Sequence, residues 1–394
     1  MYTSQIRRAG SLLAAVALAA CAEPTGLKID AEPATASLAW NQIARQMVGE
    51  QKANVFVAFR VYSTVSVAQL EALKAAEAAD SRGNHPSRRA AIAAASAVAL
   101  AYLFPTRATD VENILQQQLA SPGWLERGNV DGARGVEVGR AAGAAVVEHV
   151  KTDGYSAPFT GQVPTGDGMW YSATTPPSAP TGATLGAART FFLNSGSQFR
   201  PAKHPEFGSP AFVAALAEVR QFSDTRTAAQ DSIAKFWGMG AGSSTPPGFW
   251  NEEAARLATR FHMNERRATH LLALLNMVAM DAIIASHEAK YHYWLIRPSQ
   301  ADAAITLSLP LPNFPAYPSN HATISSAMAE VLASAFPSEA TRLRAAAEQA
   351  ALSRVYGGIH YRFDGDAGLE LGRKVAAWGI AKDKGMNGPL AVEP

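Results

Sequence analysis

A single cysteine, Cys21, in 394 residues excludes a disulfide framework and any thiolate-rich metal cluster. Charge of one sign is also missing. With 35 basic and 33 acidic residues the chain offers no field for a polyanion, so no nucleic-acid partner is expected. Long hydrophobic runs are absent as well. The best candidate, residues 90–104, is mostly alanine and falls short of the about 20 apolar residues that a membrane-spanning helix needs, so it reads as a buried helix. No run alternates as strands require, and no internal repeat is visible. What remains is alanine-rich sequence, 48% hydrophobic, which favours packed helices. The length suffices for a sizeable core in one large domain or two smaller ones.

Residues 1–20 have the layout of an export signal: Arg7 and Arg8, then an apolar stretch ending in small residues. Leu18-Ala19-Ala20-Cys21 resembles a bacterial lipobox, which implies lipidation at Cys21 and a periplasmic or membrane-anchored lipoprotein. Ordinary secretion is the plainer alternative, and the paired arginines leave a twin-arginine route open. Membrane contact is expected only through that lipid. Residues 21–37 form a polar tether.

Helical spacing over 40–80 (Ile43, Met47, Val55, Phe59, Tyr62) predicts two helices, with two more over 88–102 and 108–119. Gly135, Gly139 and Gly143 recur every fourth residue, a spacing that in a soluble chain marks close helix packing. Residues 152–210 gather Gly and Pro with Trp170, Phe191, Phe192 and Phe199, and read as one long functional loop or lid. Helices resume over 211–222, 228–237, 252–261 and 265–293. The expected fold is all-α, with an N-terminal helical region (38–250) and a C-terminal helical region (251–385).

Several motifs fail on inspection. His287-Glu288 lacks a zinc-protease partner, since the position four beyond His287 is Tyr291. The glycines of 238–242 follow no strand. No serine sits in a Gly-x-Ser-x-Gly elbow. His262, His270 and His292 lie in helical runs and read as core or surface histidines.

Three C-terminal segments share one chemistry. Lys290 and Arg297 lie seven apart, which on a continuing helix would put both cations on one face, although Pro298 biases Arg297 toward a helix end. Ser319 holds an N-cap position ahead of an apolar helical run. A helix N-terminus binds anions through its free N–H groups, and His321 falls in its first turn. Arg354 adds a third cation. His360 and Asp364, four apart, can pair on a helix so that the carboxylate holds one imidazole nitrogen and frees the other. Each feature alone has an ordinary surface or capping explanation. Together they suit a tetrahedral or trigonal-bipyramidal oxyanion.

The same residues resemble the signature of type 2 phosphatidic acid phosphatases and vanadium-dependent haloperoxidases: Lys-x6-Arg-Pro, Pro-Ser-Gly-His, Ser-Arg-x5-His-x3-Asp. Lys290, Arg297 and Pro298 match the first part, Pro318, Ser319 and His321 the second, and Ser353, Arg354, His360 and Asp364 the third. The resemblance implies helical bundles of the vanadium haloperoxidase and acid phosphatase type. It implies that Lys290, Arg297 and Arg354, with Ser319 and the Asn320 amide, hold the oxyanion. His360 is then the vanadium ligand or the phosphorylated nucleophile, His321 the general acid–base, and Asp364 the group that orients His360. Asn320 stands where the signature has glycine. His287 stands where chloride-oxidising relatives carry Trp, and Phe314 where they also have Phe, so these two form the expected pocket wall. The implied cofactor is vanadate for a peroxidase and none for a phosphatase. The implied substrates are hydrogen peroxide with a halide or similar small donor, or a phosphate ester. A non-catalytic anion-binding lipoprotein is the third alternative.

Overall fold

The computed structural model describes residues 36–126 and 128–387, so the expected signal, Cys21 and most of the tether lie outside the described residues. The chain enters on helix α1 (Ala36–Glu50). The last two positions expected in the tether, Ala36 and Ser37, are helical and buried. Their amide N–H groups donate to the Glu265 carboxylate at 2.6 and 3.0 Å, which satisfies donors that a helix start leaves without internal partners.

Helices α2 (Val55–Asp80), α3 (Arg88–Leu103), α4 (Ala108–Ala120) and α5 (Gly132–Lys151) follow as expected. Asn54, Ser87 and Asp131 cap α2, α3 and α5, each accepting first-turn amides. The glycine spacing works as packing. A Cβ at Gly139 would stand 2.1 Å from the Ala91 carbonyl oxygen, and one at Gly143 2.9 Å from that of Ala95. Glycine on one helix facing alanine on the other lets the two backbones nearly touch.

Between α5 and α6 (Pro210–Thr225) the chain is irregular apart from one 3-10 turn, Leu185–Ala187. This segment is fastened rather than loose. The buried Asp281 carboxylate accepts the N–H groups of Phe191, Phe192 and Leu193 at 2.7–3.0 Å, and burial raises its pKa to about 6.

The remaining helices are α7 (Ala228–Phe236), α8 (Thr245–Arg260), α9 (Glu265–Tyr293), α10 (Pro298–Ala301), α11 (Asn320–Ala335), α12 (Ala340–Tyr356) and α13 (Arg362–Asn387). No strand occurs among the described residues, and the fold is all-α as expected. Helix α8 starts seven residues earlier than the expected 252, because Pro246 and Pro247 occupy its first turn, where the missing N–H costs nothing. Position 250 therefore lies inside a helix, and one core cluster joins Leu38 and Phe59 to Trp250, Leu275, Leu332 and Ala376.

Helix α9, rather than residues 90–104, is the stretch long and apolar enough to cross a bilayer, yet it is the core helix, packed against α2, α11 and α13. Its polar side chains are paired inside. Asn276 bonds Asn251 and Ser66, and His270 meets Asp383 of α13 at 2.8 Å. Of the other histidines set aside, His292 is exposed on α9, whereas His262 sits in the turn after α8 with φ of 51°.

Candidate active site

The C-terminal end of α9, the N-termini of α11 and α13 and the C-terminal end of α12 meet at one point. Two backbone bonds and one from a guanidinium stitch the three motif segments together pairwise. The Ala316 N–H donates to Leu295 O, the Ser319 N–H donates to Asp364 O, both at 2.9 Å, and Arg297 Nη1 donates to Ile359 O at 2.7 Å.

Lys290 and Arg297 do converge, but not on one helical face. Trp294 takes a left-handed conformation (φ 52°, ψ 34°) that ends α9, and Arg297 is extended (φ −79°, ψ 153°) ahead of α10. The turned chain puts Lys290 Nζ 5.2 Å and Arg297 Cζ 5.0 Å from the centre of the Phe314 ring, a cation–π arrangement that favours buried charge over an aromatic face.

The three cations are buried: Lys290 and Arg297 are 0% exposed and Arg354 is 2%. Asp364, also 0% exposed, is the carboxylate that faces Lys290 and Arg297. Three positive charges against one negative leave an excess that burial makes costly. Accordingly the Lys290 pKa falls well below its usual value and that of Arg354 to about 9, through burial first and the Arg297 charge second, while burial takes that of Arg297 to about 10 against the pull of Asp364.

Carbonyl oxygens hold all three Lys290 donors and several of the arginine N–H groups. Lys290 donates to Pro315 O at 2.9 Å, Ala316 O at 2.8 Å and Pro318 O, which uses all three of its donors. Arg297 Nε donates to Phe314 O, and Arg354 Nη2 to Ala234 O at the C-terminal end of α7, both at 2.9 Å. Arg297 Nη2 is buried with no partner among the described residues. A buried guanidinium donor without an acceptor is the feature an oxyanion would complete.

Ser319 caps α11, its Oγ accepting the Ala322 N–H. The Asn320 and His321 amides are therefore first-turn donors, which a helix leaves without internal acceptors. His321 Nε2 lies 2.9 Å from Trp237 O and so carries the proton donated to that carbonyl. Burial and the adjacent Arg354 hold the His321 pKa well below its usual value.

His360 and Asp364 pair as expected but do not share a helix, because Gly358 (φ 78°) turns the chain and α13 starts only at Arg362. His360 Nδ1 is 2.8 Å from Asp364 Oδ2, which also accepts the Tyr361 N–H at 3.0 Å. Nδ1 is thus the protonated nitrogen, and Nε2 keeps its lone pair, 3.0 Å from Arg297 Nη1. Burial beside three cations keeps the imidazole neutral. Burial raises the Asp364 pKa to about 7, against the pull of Lys290 and Arg297.

The His287 and Phe314 rings, expected as a pocket wall, lie 5.5 Å apart beside a residue the sequence did not point to. Phe56, from the start of α2, lies 5.0 Å from the His287 ring edge-on and 6.1 Å from Phe314. Also unforeseen were Ser286, Gly182 and the carbonyls of Ala234 and Trp237. Only the two side-chain contacts could have left a residue-type signal. No group of three or more His, Cys, Asp or Glu suited to a metal cation occurs among the described residues.

Residues 270–384, which contain every one of these motif residues, match the PAP2 superfamily. The fold is similar to that of a bacterial vanadium-dependent iodoperoxidase, with a TM-score of 0.74 at 22% identity over 91% of this chain and 98% of that one. It is also similar to a bacterial vanadium-dependent chloroperoxidase in its holo form, with a TM-score of 0.67 at 14% identity over 86% and 95% of the two chains. No curated protein matches the sequence.

Proposed function

We propose that this chain is a vanadate-dependent peroxidase that oxidises a halide, or a similar small donor, with hydrogen peroxide. The observation that carries the reading is the Nε2 lone pair of His360, fixed by Asp364 and turned toward the Arg297 guanidinium in a buried cluster with excess positive charge. The residues fit an oxyanion cofactor, since Arg297 Nη2 lacks an acceptor that such an anion supplies. Arg297 and Arg354, the Ser319 hydroxyl and the Asn320 amide would hold its oxygens, with Lys290 contributing charge nearby. His360 Nε2 would be its protein ligand. Bound vanadate supplies the electrophilic centre that activates peroxide. His321, with Nε2 tied to Trp237 O, leaves Nδ1 to accept and return the proton of the bound reactant.

A second reading is an exported phosphomonoesterase. It is supported by the PAP2 superfamily match over the site and by His287 in the wall. There the same Nε2 would attack phosphorus as the P–O bond to the alcohol breaks, with His321 giving the departing oxygen its proton. Reconstitution with orthovanadate, followed by bromide- and peroxide-dependent bromination, separates the two. Bromination lost in His360→Ala, with negligible phosphate-ester turnover, supports the peroxidase; the opposite pattern supports the phosphatase. Activity of neither kind refutes both.

A further inference from the structure

The Asn320 side chain lies beside the amide that the proposed function assigns to the oxyanion, and a free carboxamide there would compete with the anion. The structure ties it back. Asn320 Oδ1 accepts the Ser286 hydroxyl at 2.7 Å, and Asn320 Nδ2 donates to His287 Nε2 at 3.0 Å. His287 can accept there because its Nδ1–H donates to Gly182 O at 2.9 Å, which fixes the tautomer. Burial, with Lys290 next, lowers the His287 pKa to about 3, so the ring stays neutral and the acceptor persists. Ser286 and His287 are 0% exposed and Asn320 6%, so water cannot readily replace either partner.

Gly182 belongs to the irregular segment and comes close: at φ of 72° an added Cβ would stand 2.8 Å from the His287 ring. The chain Gly182–His287–Asn320–Ser286 therefore runs from that segment to the first turn of α11.

We infer that His287 and Ser286 are positioning residues that hold the Asn320 side chain away from the oxyanion, leaving its backbone amide to face the ligand. The inference rests on the oxyanion reading of the pocket. It makes His287 an anchor that acts through Asn320 and gives it no contact with the anion.

The test is calorimetric titration of the metal-free protein with orthovanadate and with redox-inert tungstate, with melting temperature followed in parallel. His287→Ala should weaken both anions on the order of tenfold, the worth of one buried hydrogen bond. His287→Gln, which restores an acceptor near Nε2, should recover most of that loss. Ser286→Ala, which keeps the ring, should weaken binding by about three- to tenfold. In an Asn320→Gly background neither alanine substitution should matter, because no carboxamide remains to be held. A penalty for His287→Ala that persists in that background, or no penalty in the parent, overturns the inference while the oxyanion reading stands. A parent protein that binds neither anion removes both.

Discussion

Arg297→Met is the substitution that weighs most on the oxyanion reading. Methionine nearly keeps the volume but removes the buried Nη2 that has no partner and the Nε and Nη1 bonds to Phe314 O and Ile359 O. A charge-assisted hydrogen bond is worth about 1.5–3 kcal/mol, so affinity for the anion should fall by a factor of about 10–150. Binding stabilises the fold by linkage. Orthovanadate at about 100 times its Kd adds about 2.7 kcal/mol to the parent protein, and at about 1.2 °C per kcal/mol for a chain of this size the melting temperature rises by about 3 °C. If the variant binds about 100-fold more weakly, the same concentration only half-saturates it and adds about 0.4 kcal/mol, under about 1 °C.

The quantity to measure is the anion-induced increment, by scanning fluorimetry or calorimetry. Without anion the variant loses bonds but also sheds unpaired charge, so its own melting temperature does not discriminate. Arg344→Met serves as control, since Arg344 pairs with Glu330 on the surface at 2.7 Å. Equal increments in the parent and Arg297→Met would refute the pocket as the binding site. So would an increment that Arg344→Met abolishes.

Asp364→Asn leaves His360 without its carboxylate and should cost about 10- to 100-fold in oxyanion affinity, read by the same titration; full affinity would remove Asp364 from the site. Burial beside cations depresses His287, His321 and His360. Their stabilising effect is thus fully present above the ordinary value of about 6.5 and lost as pH falls. Asp364, raised to about 7, and Asp281, raised to about 6, act oppositely, each taking up one proton in the folded state. Three against two leaves about one proton, a slope of up to about 1.4 kcal/mol per pH unit below about pH 5.5. A guanidinium midpoint that does not fall between pH 7 and pH 5 contradicts this. Gly139→Ala must part α3 and α5, given the 2.1 Å clash, and should lower the unfolding free energy by about 1–3 kcal/mol or more with oxyanion affinity retained; unchanged stability would refute the close packing.

Residue type and spacing carried the chemistry of the site, because a cation, an imidazole and a capping serine announce themselves wherever they stand. Their geometry was less legible. Lys290 and Arg297 look like one helical face until Trp294 ends α9 in a left-handed conformation that glycine or asparagine would have signalled and tryptophan does not. His360 and Asp364 look like a helical pair, yet Gly358 breaks the chain ahead of them. Phe56 and Gly182 reach the wall from positions 258 and 132 residues before Phe314. Nothing local in the sequence marks a residue whose role arises only from packing.

The least legible part is the backbone. Seven carbonyl oxygens, from Ala234, Trp237, Phe314, Pro315, Ala316, Pro318 and Ile359, accept from Lys290, Arg297, Arg354 and His321. Any residue type supplies a carbonyl, so its position leaves no trace in composition or motif. These dipoles allow three cations to be buried before a ligand arrives, since each partly replaces lost hydration. They also set the terms of binding. Under the proposed function an anion would meet Arg297 Nη2 unopposed, but could take an N–H of Lys290 only by displacing a carbonyl. The cradle is therefore organised in advance around Arg297, with Lys290 acting mainly through its charge and through its hold on residues 315–318, the approach to the N-terminus of α11.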